Sequence, residues 1–475
     1  MGDTLRFFAF IVAFLPGYAG AALARKVRAI LHGWTYKGPT DTPKVVVVVG
    51  GSFAGYQLMA RLTETLPTGW QAVLVEKNEH FNWSFAFPRF SVVPGHERTA
   101  FMAYAKILAK GVQRGIARFV QGEAASVVTA TAAAGGKDND KHVRLASGET
   151  VPYDILVVAT GSAQRPPAKL LGAAHKATAC AELRTLQDRI RRARTVAVVG
   201  GGAVGVELVT DIKTYAHVVA ERHRADNKDH NKDDSVADKD VTLVHSRTQL
   251  LNRFGPRLHE HVAGVLAKQG ITVELGQRVT IAYKDGGDES AGAGRPGTLH
   301  FPDGRAVEYD CILLCTGQTP NSALFKEALA GALAETGEIR VNAGLQVVVD
   351  EKSGGGGGQG LSDVYAFGDV AATGGPKMAR AGFFQADVIV DNILASIAGR
   401  PAKHRYVPSV VEPSLKLTLG KDATVVYMDM NEAQTKSILM PKKGDAEDMY
   451  VKQSWQFMGV KYTDDDDDDN EQGEV

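Results

Sequence analysis

The stretch that most constrains this chain is VVVVVGGSFAGYQLMARL at residues 45–62, where a run of valines enters a glycine-rich turn and then a helical pattern. This order is typical of dinucleotide-binding domains with the spacing G-x-G-x-x-G. Gly50 and Gly51 permit the turn and Gly55 lets the helix pack closely, but Ser52 replaces the glycine that faces the pyrophosphate. A serine fits there if its φ is negative, and its hydroxyl can donate to a phosphate oxygen. We therefore predict an altered nucleotide site.

An acidic residue at the end of the next strand supports this interpretation. The strand QAVLVEKNEHF reaches Glu76, 21 residues after Gly55. An acid near this distance hydrogen-bonds the ribose hydroxyls of a dinucleotide and repels a 2′-phosphate. The alternative is a glycine turn that binds no ligand.

A second unit, VAVVGGGAVGVEL, carries the full spacing at Gly200, Gly202 and Gly205. Its next strand ends at His245 and Arg247, where an NAD site usually has an acid. Arg247 can pair with a 2′-phosphate and His245 can hydrogen-bond it, so the segment favours NADPH. The alternative is that Arg247 is a solvated loop residue and NADH is used as well.

Two further strands end in a Thr-Gly turn, VPYDILVVATGS with Thr160 and Gly161, and YDCILLCTGQTPN with Gly317. Each is predicted to be a buried strand whose end turns beside a ligand. In VYAFGDVAAT, Asp369 follows a strand and precedes a helix, where it could bind the ribityl hydroxyls of a flavin. The first unit is therefore assigned to FAD and the second to NADPH, with NADH as the alternative.

These motifs predict an α/β fold with two Rossmann-like domains and a small α+β C-terminal domain. The predicted segments are 1–42 (hydrophobic targeting or membrane segment), 43–175 with 300–395 (FAD-binding domain), 176–299 (NAD(P)H-binding domain), 396–462 (C-terminal domain) and 463–475 (acidic disordered tail).

The order of the motifs over roughly residues 44–395 resembles that of flavoproteins with two dinucleotide-binding domains. Within that group, NEHFNWSFAFPRFSVVPG at 78–95 and PKMARAGFFQADVIVDNI at 376–393 resemble the fungal apoptosis-inducing-factor-like oxidoreductases, relatives of the ferroptosis suppressor family. This resemblance implies noncovalent FAD, hydride from a reduced nicotinamide, and often a quinone as acceptor.

The resemblance also implies roles for single residues. It carries the FAD contacts over to Gly50, Ser52, Gly55, Glu76, Thr160, Gly161 and Asp369, and the nicotinamide-nucleotide contacts to Gly200, Gly202, Gly205 and Glu207. Glu207 would lie near the nicotinamide, and Lys377 near the flavin. Arg89 would line the isoalloxazine, whereas Phe85, Phe87 and Phe90 are expected to be core residues. The plainer alternatives are a helix-start carboxylate for Glu207 and a surface salt bridge for Lys377.

Cysteine spacing excludes one branch of the superfamily. The chain has three cysteines and no CxxC or CxxxxC pair, so it lacks the vicinal thiols through which disulfide reductases relay electrons. Cys311 and Cys315 lie on one predicted strand, about 13 Å apart and beyond disulfide reach. The sequence contains neither a metal-site nor a hydrolase motif.

Two rival functions remain open at this point. One is a reductase of a small iron–sulfur protein, and the other is a slowly turning redox sensor or death effector. The chain has 54 basic residues (Lys and Arg) and 54 acidic residues (Asp and Glu), and its tail is acidic. Both features disfavour a death effector that binds DNA.

The N-terminus points to a membrane. Phe7–Ala24 is an uncharged run of 18 residues followed by Arg25, and the lipid-modification signal of mammalian relatives is missing. We expect a signal anchor or interfacial helix, at the cytoplasmic face or the mitochondrion. The alternatives are a cleaved secretory peptide, a mitochondrial presequence, or a helix docked on the protein itself.

The predicted C-terminal domain contains no residue that indicates chemistry. It could cover the flavin or form a homodimer contact.

Overall fold

The computed structural model describes residues 2–129, 141–226, 236–286, 293–349 and 360–462. The predicted acidic tail, 463–475, lies outside the described residues.

Helices and strands alternate over most of this length, as an α/β fold requires. The helices are α1 (Gly2–Thr35), α2 (Phe53–Thr63), α3 (Phe87–Phe90), α4 (Tyr104–Ile107), α5 (Ala109–Gln113), α6 (Lys176–Arg192), α7 (Ala203–Asp226), α8 (Pro256–Lys268), α9 (Ala379–Ile397) and α10 (Val451–Phe457). The strands up to the first Thr-Gly turn are β1 (Lys44–Val49), β2 (Trp70–Glu76), β3 (His80–Asn82), β4 (Phe101–Ala103), β5 (Ala117–Gln121), β6 (Ala124–Val128), β7 (His142–Leu145), β8 (Thr150–Pro152), β9 (Ile155–Val158) and β10 (Ser162–Ala163). The later strands are β11 (Thr195–Val199), β12 (Asp240–His245), β13 (Thr272–Leu275), β14 (Thr280–Tyr283), β15 (Arg295–His300), β16 (Ala306–Leu314), β17 (Thr319–Pro320), β18 (Ile339–Arg340), β19 (Gln346–Val348), β20 (Gly360–Ala366), β21 (Ala371–Ala372), β22 (Leu415–Thr418), β23 (Ala423–Asp429) and β24 (Ser437–Lys443).

The first domain is built on a six-stranded sheet in the order β19-β20-β9-β1-β2-β5. β1 pairs in parallel with β2 and β9, so the valine run occupies the middle of the sheet and Val46, Val47 and Val48 are fully buried. Parallel strands covered on both faces read as continuous apolar runs, which is why five valines form this strand. The carboxyl end of β1 carries the first glycine turn.

The second domain repeats this plan in the order β13-β12-β11-β16-β15-β14. β16 pairs in parallel with β11, as β9 pairs with β1, and antiparallel with β15. The predicted domain boundary at residue 300 is therefore wrong, because β16 completes the second sheet and the chain leaves this domain only after Leu314. The antiparallel pairing of β15 with β16 was not predicted, because a charged and glycine-rich segment precedes β15 in the sequence.

The C-terminal domain is α+β, as predicted, and it packs against both nucleotide domains. It consists of the antiparallel sheet β22-β23-β24 followed by α10. Leu417 and Tyr427 join the core of the second domain, whereas Trp455 of α10 joins the core of the first. The domain therefore bridges the other two.

The helix α1 lies along the surface of the globular body. Asp3 pairs with Arg257 of α8, Arg25 pairs with Asp387 of α9 at 3.2 Å, and His32 Nε2 donates to the carbonyl of Leu66 at 2.7 Å. Asp3 and His32 are about 44 Å apart along a helix that rises 1.5 Å per residue. Both ends of α1 are thus bonded to the same side of one body.

The outward stripe of α1 is formed by nine large apolar side chains that are each between 47% and 79% exposed: Leu5, Phe8, Val12, Leu15, Leu23, Val27, Ile30, Leu31 and Trp34. Among the described residues, α1 is the one helix long and apolar enough to cross a membrane by length and composition.

Candidate active site

The first glycine turn holds the acid that the sequence predicted beside it. The N–H of Gly50 donates to the carbonyl of Val75 at 2.8 Å, and the N–H of Gly51 donates to Glu76 Oε2 at 2.7 Å. Glu76 Oε1 accepts from the N–H of Asn78 at 3.0 Å. The carboxylate is therefore fixed at the mouth of the turn.

The second turn has the same architecture with a different acceptor. The N–H of Gly200 donates to the carbonyl of Val244 at 2.8 Å, and the N–H of Gly201 donates to His245 Nδ1 at 3.1 Å. Burial lowers the pKa of His245, and nearby Arg247 lowers it further. The position that holds a carboxylate in the first turn thus holds a neutral imidazole in the second, while the Arg247 side chain stands exposed at the end of β12.

Both turns are so tight that certain glycines admit no side chain. A Cβ added to Gly55 would lie 1.8 Å from the carbonyl oxygen of Gly50, and one added to Gly205 would lie 1.8 Å from that of Gly200. A Cβ on Gly50 or Gly200 would also meet the backbone of the Thr-Gly strand behind it. These four positions are occupied by glycine because the backbone itself leaves no room.

The middle position of each turn is different, because it faces open space. A Cβ on Gly202 would have no atom within 4 Å. Ser52, its counterpart, has φ −66°, so the predicted negative φ is confirmed, and its hydroxyl makes no capping bond to α2. The first N–H groups of α2 and α7 thus border space suited to a phosphate. FAD and NAD(P)H, the cofactors predicted from the sequence, fit these two turns.

The two Thr-Gly segments meet across the domains. Thr160 Oγ1 donates to the carbonyl of Asn321 at 2.7 Å, and Asn321 Nδ2 donates to that of Thr160 at 2.9 Å. Gly161 and Gly317 have φ values of +67° and +80°, a region that favours glycine. A Cβ on Gly50 would lie 3.0 Å from Thr160 Cα and one on Gly200 would lie 3.0 Å from Thr316 Cγ2, so each Thr-Gly turn lies beside its glycine loop.

Asp369 lies in the same region as Gly161. The hydroxyl of Ser162 donates to Asp369 Oδ2 at 3.2 Å. Sequence reasoning missed Lys169, a half-buried cation whose Nζ donates to the carbonyl of Ser162. Burial lowers the pKa of Lys169, whereas Asp369 and Glu76 oppose that shift. Its only sequence signal is a lysine after the Thr-Gly turn, which by itself is too common to use.

Arg89 is buried between the two nucleotide domains, and its role at the isoalloxazine stays a prediction. Its side chain is 1% exposed and its Nε lies 2.8 Å from Asp211 Oδ2, while Nη1 donates to the hydroxyl of Tyr215 at 3.0 Å. Asp211 and Tyr215 belong to α7 of the second domain. The guanidinium is therefore committed to a buried interdomain ion pair, because an unpaired charge at this depth would be very costly.

Glu207 lies one turn before Asp211 on α7 and contacts the C-terminal domain. Its Oε1 accepts from both the N–H and the hydroxyl of Thr418, each at 3.1 Å. Burial raises the pKa of Glu207 to about 7; Asp211 also raises it, and the Thr418 donors and Arg89 oppose the shift. This carboxyl can therefore carry a proton at neutral pH.

Lys377 is held by an ion pair of the kind considered as its alternative role. Its Nζ lies 2.5 Å from Glu338 Oε1 and donates to the carbonyl of Ala371 at 2.5 Å. Ala371 follows Asp369 by two residues, so the cation stands close to the segment assigned to the flavin. Its role toward the flavin stays a prediction.

The three thiols are separate from each other and inert. Cys180 and Cys311 are buried, Cys315 is half-buried, and all three are free. Burial raises the pKa of Cys180 to about 11 and that of Cys311 and Cys315 to about 12, far from the thiolate form. Within the described ranges, no group of His, Cys, Asp and Glu side chains is arranged to hold a metal ion.

The glycine contacts predict different outcomes for neighbouring substitutions. Gly205→Ala should lower the melting temperature, since the added methyl collides with the backbone of Gly200. Gly202→Ala should leave the melting temperature unchanged but weaken NADPH binding, because the methyl enters the space at the start of α7. Gly264→Ala on α8, with open space around it, is the control and should stabilise the protein by about 0.5–1 kcal/mol. Unchanged NADPH affinity in Gly202→Ala would place the nucleotide elsewhere.

The raised pKa of Glu207 predicts a pH effect on stability. The folded protein holds this proton more tightly than the unfolded chain, so stability is lost as pH rises from about 4.3 to the folded pKa. The melting temperature should therefore fall between pH 5 and 7.5 in the wild type, and fall less in Glu207→Gln. Exposed Glu123→Gln is the control and should follow the wild type. Parallel curves for all three proteins would contradict the shift.

Known proteins resemble this chain over most of its length. Residues 44–386 match the model of the family described as "Pyridine nucleotide-disulphide oxidoreductase". Fe-regulated protein 8 of Mycosarcoma maydis is 31% identical over 81% of this chain and 89% of its own length. Ferroptosis suppressor protein 1 of Xenopus tropicalis is 29% identical over 87% and 96%. The solved sulfide:quinone oxidoreductase of Aquifex aeolicus, 16% identical, superposes with a TM-score of 0.61 over 87% of this chain and 90% of that chain. The chain belongs to the pyridine nucleotide-disulphide oxidoreductase family, as a flavin-dependent NAD(P)H oxidoreductase without a redox-active disulfide.

Proposed function

We propose that this protein oxidises NADPH, with NADH as a second donor, and reduces a lipophilic quinone. The observation that carries the proposal is the state of the thiols in a family named for disulfide chemistry. The three cysteines are far from thiolate form and form no pair, so electrons cannot pass to a protein disulfide. Because this chain has no disulfide of its own to reduce, the electrons must leave to a separate acceptor molecule.

The residues divide the work between two nucleotides. When bound, FAD supplies the redox chemistry, because its ring accepts hydride from a reduced nicotinamide and passes electrons to an acceptor. The turn at Gly50–Gly55, with Glu76 and Asp369, would hold FAD, and the turn at Gly200–Gly205 would hold NAD(P)H. The net reaction, NADPH + H⁺ + quinone → NADP⁺ + quinol, requires one proton beyond the hydride.

Two ionisable side chains, Glu207 and Lys377, are assigned to the reaction itself. Glu207 Oε1 already accepts two hydrogen bonds from Thr418, so a proton on this carboxyl resides on Oε2. Lys377 provides a cation beside the Asp369 segment, where it would favour negative charge on a reduced flavin. The protein thereby contributes orientation, a proton and a positive charge.

The difference between the two turns supports a preference for NADPH. A carboxylate at the position of Glu76 would repel a 2′-phosphate, whereas neutral His245 does not. Exposed Arg247 can reach out to that phosphate, and guanidinium–phosphate pairs are strong. NADH would lack this contact but would meet no repulsion.

The membrane is proposed as the place of reaction, at the cytoplasmic face or in the mitochondrion. A helix that lies in the interface buries one apolar face, and the outward stripe of α1 offers such a face. Its exposed charges, Arg6, Lys26 and Arg28, are all positive and would complement anionic lipids. Because both ends of α1 are tied to one body, we propose that it lies in the membrane plane. A homodimer also stays a prediction.

The function predicts two half-reactions that can be seen separately. Anaerobic addition of NADPH to the yellow protein should bleach the flavin absorbance, and a soluble quinone should restore it. Arg247→Ala should raise the KM for NADPH by about tenfold and leave that for NADH unchanged, since only the 2′-phosphate contact is lost. Arg144→Ala, an exposed arginine on β7 of the first domain, is the control.

Bleaching without reoxidation by quinone would refute the acceptor and favour a sensor or a protein acceptor. Equal losses for both nicotinamides in Arg247→Ala would refute the role of the 2′-phosphate.

The position of α1 predicts how the protein binds lipid. Phe8→Glu combined with Leu15→Glu should abolish flotation with vesicles of phosphatidylcholine and phosphatidylglycerol, because both side chains lie on the outward stripe. Leu171→Glu, an apolar residue equally exposed elsewhere, should float like the wild type. Protease access to the two ends of α1 from opposite sides of a vesicle would show a spanning helix and contradict the in-plane arrangement.

A further inference from the structure

We infer that an aromatic cluster formed by Phe53, Trp83 and Phe85 is the docking platform for the electron acceptor, a planar quinone ring. The inference rests on the proposed function and names the place where its second substrate binds. Phe85 is a predicted core residue in the sequence. Phe85 is instead 52% exposed, whereas Phe87 and Phe90 are buried as expected.

The three rings are in mutual contact. The ring centroids of Phe53 and Phe85 are 4.5 Å apart with a 36° angle between their planes. Phe53 and Trp83 are 5.3 Å apart, and Trp83 and Phe85 are 6.0 Å apart, both with edge-on geometry. These are favourable aromatic arrangements, so the exposed ring of Phe85 is held in place rather than loose in solvent.

A buried base keeps the platform rigid. Phe81, fully buried, packs edge-on against Phe53 at 4.9 Å and lies 6.0 Å from Tyr56. The short 3₁₀ helix Ser84–Ala86 joins Trp83 to Phe85, and the N–H of Trp83 donates to the carbonyl of Ala100 at 2.8 Å. The rings thus stand on the core, and little conformational entropy would be lost when a flat ligand stacks on them.

The platform adjoins the turn assigned to FAD. Phe53 is the first residue of α2 and directly follows Ser52. The next residue, Ala54, closely approaches two glycines: a Cβ on Gly368 would lie 3.3 Å from its Cβ, and one on Gly382 would lie 3.0 Å from it. Phe53 therefore stands where the glycine turn, the Asp369 segment and α9 converge. An acceptor must come close to the flavin, and this is an exposed apolar surface beside its assigned binding residues.

The chemistry of the cluster fits a quinone ring better than a charged acceptor. Flat rings stack on aromatic side chains, and the three platform residues carry no charge to recognise an anion. A lipophilic quinone also gains from the removal of apolar surface from water. The charged outer surface of a small iron–sulfur protein would find no complementary charge on these three side chains.

The test uses the FAD-loaded protein and a quinone with a short prenyl tail. Phe85→Ala should raise the KM for the quinone by about tenfold, and calorimetry should show a similar loss of affinity for the quinone in the oxidised protein. Phe85→Tyr, which keeps the ring, should behave like the wild type. Leu171→Ala is the control for loss of an exposed apolar side chain.

The other readouts separate this inference from the proposed function. Flavin content and the rate of bleaching by NADPH should be unchanged in Phe85→Ala, as should turnover with ferricyanide, a small ion that needs no stacking. Unchanged quinone KM and affinity in Phe85→Ala would overturn the platform, and so would loss of flavin, which would make the cluster part of the cofactor site. A wild type that binds the quinone without reducing it would refute the proposed function, while weakened binding in Phe85→Ala would still support the platform.

Discussion

The structure depends on one repeated backbone contact, the approach of a turn carbonyl to a helix that begins three residues later. In each nucleotide domain this contact closes to a distance that excludes even a methyl group, at Gly55 beside Gly50 and at Gly205 beside Gly200. The contact brings the amino end of α2 or α7 against the end of a buried parallel strand. In each domain the helix dipole and the free N–H groups at the start of the helix point at the same place, which suits a pyrophosphate group.

The two domains share this plan but differ in the side chain that accepts a hydrogen bond from the glycine turn. Glu76 and His245 each receive the N–H of the second turn residue, at 2.7 and 3.1 Å. The substitution keeps the hydrogen bond that shapes the turn while it removes a negative charge. With FAD and NADPH assigned to the two turns as proposed, the backbone sets the shape of each site and the charge beside it sets the selectivity.

The features that local backbone geometry determines could be predicted from the sequence, whereas the contacts that tertiary packing determines could not. Gly50 and Gly55 share the first turn with Glu76 beside it, and Gly200 and Gly205 share the second, as their spacing predicts. Arg89 is paired with Asp211, and no local pattern reveals a contact between residues 122 positions apart. Lys169 and the exposure of Phe85 also depend on tertiary packing. The boundary at residue 300 was wrong because β15 and β16 form an antiparallel extension that the simple alternation of strand and helix does not predict.

The helix α7 connects the parts that must cooperate. Its first turn borders the turn proposed to hold NAD(P)H, Glu207 accepts hydrogen bonds from Thr418 of the C-terminal domain, and Asp211 is paired with Arg89 of the first domain. A buried ion pair contributes little net stability compared with apolar packing, but removal of either partner leaves a costly uncompensated charge. The pair therefore resists separation of the two domains and holds Glu207 in register with them. Since hydride transfer demands close and oriented reactants, this pair would also preserve the domain geometry that the proposed reaction requires.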